Sequence, residues 1–217
     1  MRYGVLGTGA VGQRLAGKLI ELNHEVRMGG RSPDNERGLG WATSAGERAS
    51  YGTFSDAAAF GETVLNCTAG AASLDALRAA RPEDLAGKVL IDVSNPLEFS
   101  ADGAPTLTVC NTDSLAEQIQ RELPDARVVK ALNTMTNAVM VDPSRIPGPH
   151  EAPIAGNDDA AKREVAAMLQ SFGWPAGSIV DLGDISAARG MEMWLPLWLR
   201  LFQALGTGDF NLHLARA

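Results

Sequence analysis

Residues 3–12 read Tyr-Gly-Val-Leu-Gly-Thr-Gly-Ala-Val-Gly, and this stretch decides the fold. Tyr3 to Leu6 is a short buried-strand run, and Val11, Leu15, Leu19 and Leu22 follow it at helical spacing. Between them, Gly7-Thr8-Gly9-Ala10-Val11-Gly12 is a GxGxxG. Such a hexamer alone is weak. Set between a strand and an amphipathic helix, it becomes a dinucleotide-binding signature. Gly7 permits the tight turn, Gly9 lets the backbone approach a pyrophosphate, and Gly12 lets the helix pack closely on the strand. The pyrophosphate then meets unpaired N–H groups and a favourable dipole at the helix N-terminus.

The end of the second strand selects the dinucleotide. A site for NAD usually presents Asp or Glu about 20 residues past the fingerprint, bonded to the ribose 2′-OH. Here the chain reads Met28-Gly29-Gly30-Arg31-Ser32, with no carboxylate before Arg31. The Arg31 fork suits a 2′-phosphate and Ser32 offers a hydroxyl, so the expected cofactor is NADP (NADPH). Arg37, expected beyond a flexible turn, is a candidate second cation.

Outward from this unit, strands and helices alternate. Strands are expected at Glu25–Met28, Ala49–Gly52, Thr63–Asn66, Lys88–Val93 and Arg127–Leu132. Helices are expected behind Ser55, Ser73 and Asp113 or Ser114, acting as caps. The alternation specifies a Rossmann-type α/β fold, a doubly wound parallel sheet. Residues 97–112 read as an irregular flap over the sheet's edge. The proline-rich stretch from Asp142 to Pro153 marks a shift. Residues 1–142 are read as the NADP-binding domain and 143–217 as a small C-terminal α/β extension on the same sheet. In the extension, Trp194, Trp198 and Phe202 form a helical stripe, read as a dimer surface or pocket rim.

The composition is that of a globular chain: 217 residues, 45% hydrophobic and 21% charged. With 19 basic and 26 acidic residues the net charge is −7, which disfavours nucleic acid or an anionic membrane as the main partner. Cys67 and Cys110 read as free thiols of a reducing compartment. No targeting segment is recognised, and the apolar stretch Met193–Leu199 is too short to span a bilayer. The expectation is a cytoplasmic protein. His24, His150 and His213 are scattered, so no metal site is expected.

In open α/β sheets ligands bind outside the carboxyl ends of the strands. Those ends carry Cys67-Thr68-Ala69, Ser94-Asn95-Pro96 and Asn133-Thr134, which are small and uncharged. Asn133 and Thr134 fit two roles equally: capping the next helix, or orienting a ligand. Asn95-Pro96 fits a rigid turn as well as a ligand contact. Lys130, inside a strand, reads as a structurally paired charge as readily as a catalytic one.

The chain resembles the NADP oxidoreductase family that uses coenzyme F420, a deazaflavin. The likeness rests on Gly7–Gly12, Gly30-Arg31-Ser32, Asp92-Val-Ser-Asn-Pro-Leu97, Val129-Lys-Ala-Leu-Asn-Thr134, Ala155-Gly156-Asn157 and the Trp194–Leu201 tail. It implies hydride transfer between NADP(H) and the deazaflavin, with the second substrate stacked on a nicotinamide at the strand ends. Such transfer needs no protein nucleophile, so no catalytic residue is assigned. One departure is Pro33-Asp34-Asn35-Glu36, where the family commonly has basic residues. Two other functions stand beside this one: an NADPH-dependent reductase of a flavin, quinone or small carbonyl or imine, and a non-catalytic NADP(H)-binding redox sensor. The partners expected are small molecules and a second copy of the chain, as a homodimer.

Overall fold

A computed structural model describes residues 1–99 and 105–215. The elements run β1 (Arg2–Leu6), α1 (Ala10–Glu21), β2 (Glu25–Gly30), α2 (Glu36–Ala45), β3 (Ala49–Thr53), α3 (Phe54–Phe60) and β4 (Thr63–Asn66). Next come α4 (Gly70–Ala79), α5 (Pro82–Leu85), β5 (Val89–Asp92), the hairpin β6 (Leu97–Glu98) and β7 (Thr106–Leu107), α6 (Leu115–Glu122) and β8 (Arg127–Ala131). The chain closes with α7 (Asn137–Val141), β9 (Ala152–Gly156), α8 (Asp159–Ser171), β10 (Ile179–Asp181) and α9 (Ala188–Leu205).

Eight strands form one sheet in the order β10-β9-β8-β5-β4-β1-β2-β3. From β3 through β8 every neighbour is parallel. The order reverses between β1 and β4, which opens a crevice at the carboxyl ends there. The doubly wound parallel sheet expected above is present, and the C-terminal extension adds one reversal to it. β9 pairs antiparallel with β8, and β10 follows β9 in its direction. Between β8 and β9 the chain holds only the five-residue α7 and no full crossover helix of the kind that joins parallel neighbours. The chain therefore re-enters at the end it left, and the strand reverses.

Apolar side chains fill both faces. Val5, Leu15, Leu19, Met28, Val129, Val165 and Leu169 pack beneath α1 and α8, while Leu6, Ala57, Leu77, Leu90, Ile119 and Val128 pack beneath α3, α4 and α6. Two expected caps are displaced. Thr53, not Ser55, caps α3: its hydroxyl accepts from Asp56 N at 3.2 Å, and Asp56 Oδ2 accepts from Thr53 N at 2.8 Å. This capping box satisfies two helix-end donors, where a later cap leaves both unpaired. Ser73 lies inside α4, which starts at Gly70. The residues 97–112 hold the β6–β7 hairpin, and part of the expected flap, residues 100–104, lies outside the described residues. Among the described residues no helix is long and apolar enough to cross a membrane.

Candidate functional site

The turn between β1 and α1 is packed too tightly for side chains. Gly7 sits at φ +115°, and a Cβ there would lie 2.7 Å from the Cys67 carbonyl oxygen. A Cβ on Gly12 would lie 2.2 Å from the Gly7 carbonyl oxygen. Both positions therefore hold the loop against the strand. Gly9 is different: nothing lies within 4 Å of where its Cβ would be, and it precedes α1 without any side-chain cap. The first-turn N–H groups of α1 are thus left for something other than this chain's side chains. Thr8 turns its carbonyl to Gln13 Nε2 at 3.0 Å, Ala10 is exposed, and Val11 is partly buried on the core.

At the end of β2, Arg31, Ser32 and Arg37 are all exposed, and neither arginine has an ion-pair partner among the described residues. Ser32 Oγ accepts from Asp34 N at 3.2 Å, forming a turn into α2. Arg37 follows this turn. It occupies the first turn of α2, whose cap is Asn35, accepting from Gly38 N at 3.0 Å. Tyr51 on β3 also belongs here. Its phenol donates to the Ser32 carbonyl at 2.5 Å, and its ring lies where a Cβ on Gly38 would sit, 2.2 Å from Cε2. The sequence signal for Tyr51 is the pair Gly30 and Gly38, spaced to admit an aromatic ring.

At the carboxyl ends of β4, β5 and β8 most of the remaining polar candidates fall into two hydrogen-bonded sets. Thr68 Oγ1 donates to Asn66 Oδ1 (2.7 Å), and Asn66 Nδ2 donates to Asp92 Oδ1 (2.9 Å). Ser94 Oγ also donates to Asp92 Oδ1 (2.7 Å). Asn95 and Asn133 pair reciprocally: Asn95 Nδ2 donates to Asn133 O (3.0 Å), and Asn133 Nδ2 donates to Asn95 Oδ1 (2.9 Å). Asn133 Nδ2 also reaches Met191 O on α9 (3.1 Å), and Trp194 Nε1 donates to Thr134 O (3.0 Å). Neither Asn133 nor Thr134 caps a helix; Thr136 takes that place before α7. Instead Asn133 Oδ1 and Thr134 Oγ1 are buried with no hydrogen-bond partner. Leaving such a group unpaired costs about 1–3 kcal/mol. Pro96 is buried and holds the hairpin through its carbonyl, which accepts from Thr108 N at 2.8 Å. Ala69 is exposed at the start of α4.

Beneath this wall lies a buried ion cluster. Lys130 Nζ meets Asp92 Oδ2 at 2.8 Å, Glu192 Oε1 at 2.8 Å and the Ser94 carbonyl at 2.5 Å. Burial acts to lower the Lys130 pKa, but Asp92 and Glu192 outweigh it and hold the ammonium above its ordinary value. Burial raises the Glu192 pKa, against the pull of Lys130. Lys130 is therefore a paired charge with no side-chain exposure. Desolvation, reinforced by the Asp92 charge, pushes the thiol of the half-buried Cys67 far above its usual range, which favours the protonated form. No cluster suited to a metal ion occurs among the described residues.

The two ends of the crevice thus differ in kind. One end offers two free guanidinium groups beside a tyrosine. The other offers amides and hydroxyls whose neighbouring charges are consumed by each other. The stripe on α9 divides likewise: Trp194 is bonded to the Thr134 carbonyl, whereas Trp198 stacks between Phe202 and Phe210, with centroid distances of 5.5 and 5.3 Å.

The family described as NADP oxidoreductase, coenzyme F420-dependent, matches residues 2–96. A crystal structure of a candidate F420-dependent NADP reductase from Arthrobacter sp. FB24 is 49% identical, with a TM-score of 0.93 and 99% of each chain covered. The F420-dependent NADP reductase of Methanocaldococcus jannaschii is 28% identical over 130 residues, 58% of this chain. The metalloreductase STEAP3 of Rattus norvegicus is 28% identical over 202 residues, 91% of this chain. These two matches span 57% and 38% of the respective relatives' own lengths.

Proposed function

Because the chain belongs to the family of coenzyme F420-dependent NADP oxidoreductases, and is thus an NADP-dependent oxidoreductase, we propose that it passes a hydride between NADP(H) and the deazaflavin coenzyme F420. In this reading the N–H groups around Gly7, Thr8, Gly9, Ala10, Val11 and Gly12 hold the pyrophosphate. Arg31, Ser32 and Arg37 take the 2′-phosphate, with Tyr51 fixing the turn that presents Ser32. Cys67, Thr68, Ala69, Ser94, Asn95 and Pro96 line the nicotinamide end. The unpaired Asn133 Oδ1 and Thr134 Oγ1 orient a ligand amide there.

The observation that carries this reading is the uncharged wall at the strand ends. NADPH, when bound, supplies the hydride and the deazaflavin accepts it; neither event requires a protein acid, base or nucleophile. What the chain contributes is alignment and exclusion of water. The protonated Cys67 thiol and the self-paired Lys130 suit that task, because neither competes as a nucleophile at the crevice.

We assign residues 143–217 to an extension of the cofactor domain, and a homodimer to the exposed apolar residues Met193, Leu197, Phe202 and Leu205 on α9. Free Cys67 and Cys110 fit a reducing cytoplasm. The test of function is NADPH consumption with a panel of acceptors: coenzyme F420, FMN, quinones and small imines. The reading expects turnover with the deazaflavin. Turnover confined to FMN, a quinone or an imine would reassign the acceptor, and tight NADPH binding without any turnover would make the protein a sensor. Light scattering that finds only monomer removes the dimer.

A further inference from the structure

Glu192 is the one member of the buried ion cluster that does not belong to the sheet. It sits on α9, fully enclosed, and its carboxylate serves three donors at once. Oε2 accepts from Leu115 N at 2.8 Å and Oε1 from Ala116 N at 3.1 Å, the first-turn amides of α6. Oε1 also meets Lys130 Nζ at 2.8 Å. Two orphan helix-end donors and one buried cation therefore close on a single side chain from a different helix.

We propose that Glu192 is a positioning residue for the acceptor half of the site. One residue before it, the Met191 carbonyl accepts from Asn133 Nδ2; two residues after it, the Trp194 indole donates to Thr134 O. These two bonds place α9 against the side chains that lie beside the strand ends. Each is an ordinary neutral hydrogen bond. The carboxylate between them is held more firmly, because it meets the Lys130 charge, which it shares with Asp92, and satisfies two first-turn amides of α6. Glu192 thereby sets how far α9 stands from Asn133 and Thr134, and with it the width available to a planar acceptor. It lies away from the Gly7–Gly12 turn and the Arg31 end, so the pyrophosphate and 2′-phosphate contacts that carry most of the dinucleotide's binding do not depend on it. The inference rests on the hydride-transfer reading above.

The test compares the wild type with Glu192→Gln, which keeps the shape and one acceptor oxygen but removes the charge. A second variant, Trp194→Phe, loosens the same helix at a partly exposed position without touching the buried charges. Three quantities are read in each: the NADPH dissociation constant, KM and kcat for the deazaflavin, and hydrogen exchange of α9 with NADPH bound. The expected result is a rise in acceptor KM of about tenfold, with the NADPH constant unchanged within about twofold. Exchange in residues 188–205 should quicken while the Gly7–Gly12 turn stays protected. Equal losses in both constants, or unaltered exchange in α9, would overturn the proposal. If Glu192→Gln does not fold, Glu192→Asp, which keeps the charge on a shorter arm, decides by the same criteria, with Trp194→Phe as the control for loosening α9 alone. If the wild type reduces no deazaflavin, the functional reading falls alone, and exchange in α9 still decides this one.

Discussion

Replacing Arg31 by alanine tests which dinucleotide the crevice is built for. Arg31 is exposed at the end of β2 and has no ion-pair partner among the described residues, so its removal breaks no internal contact. The fold should be unaffected. A charge-assisted contact to a phosphate contributes about 1.5–3 kcal/mol where water is excluded. At this open position screening takes it to the lower end, about 1.4 kcal/mol, or a tenfold loss of affinity. NADH lacks the 2′-phosphate, so its binding should change by less than about twofold. Titration of cofactor fluorescence at two ionic strengths measures both, and added salt should narrow the wild-type preference for NADPH. Equal losses for the two cofactors would refute the assigned role. So would a preference for NADPH that survives in both Arg31→Ala and the double variant with Arg37→Ala.

Three further substitutions probe the frame. Gly12→Ala drives a Cβ toward the Gly7 carbonyl oxygen at 2.2 Å; it should cost about 1–3 kcal/mol in urea unfolding and weaken NADPH binding in parallel. Lys130→Met strands two buried carboxylates and should cost about 3–5 kcal/mol. The sign with pH follows from its raised pKa: the stabilisation by Lys130 is whole below the unfolded value near 10.5 and is lost as pH rises through the higher folded value. Wild-type stability should therefore fall in strongly alkaline solution, a limb that Lys130→Met lacks in unfolding curves taken across pH. Tyr51→Phe removes the bond to the Ser32 carbonyl, a loss of about 0.5–1.5 kcal/mol, and should reduce the NADPH-over-NADH preference about threefold without altering NADH binding.

The parts of this site that the chain spells out locally were readable without coordinates. The β1–turn–α1 unit is contiguous, each glycine has a local reason, and the missing carboxylate at Arg31 lies at a fixed offset. α2 was not readable as a helix, because Glu36-Arg-Gly-Leu-Gly has little apolar period; Asn35 as its cap was the available signal. The Thr53-x-x-Asp56 capping box was equally available and outranks Ser55. The direction of β9 is not written in its side chains at all, since antiparallel pairing depends on what α7 can span. The ion cluster was visible only in halves. Asp92, at the end of one apolar strand, and Lys130, inside another, stand out as charges, which signals a buried partner. That the partner is shared with Glu192 on α9, and that its carboxylate also caps α6, depends on tertiary packing between distant segments.

The central claim is direct hydride passage between the two cofactors, and isotope transfer measures it. The enzyme would be given NADPH deuterated at both positions of nicotinamide C4, together with oxidised coenzyme F420, and the reduced deazaflavin analysed by mass spectrometry. The account predicts one deuterium in each reduced deazaflavin, with none released to water. Reduced deazaflavin carrying no label, with the deuterium recovered in solvent, would contradict it.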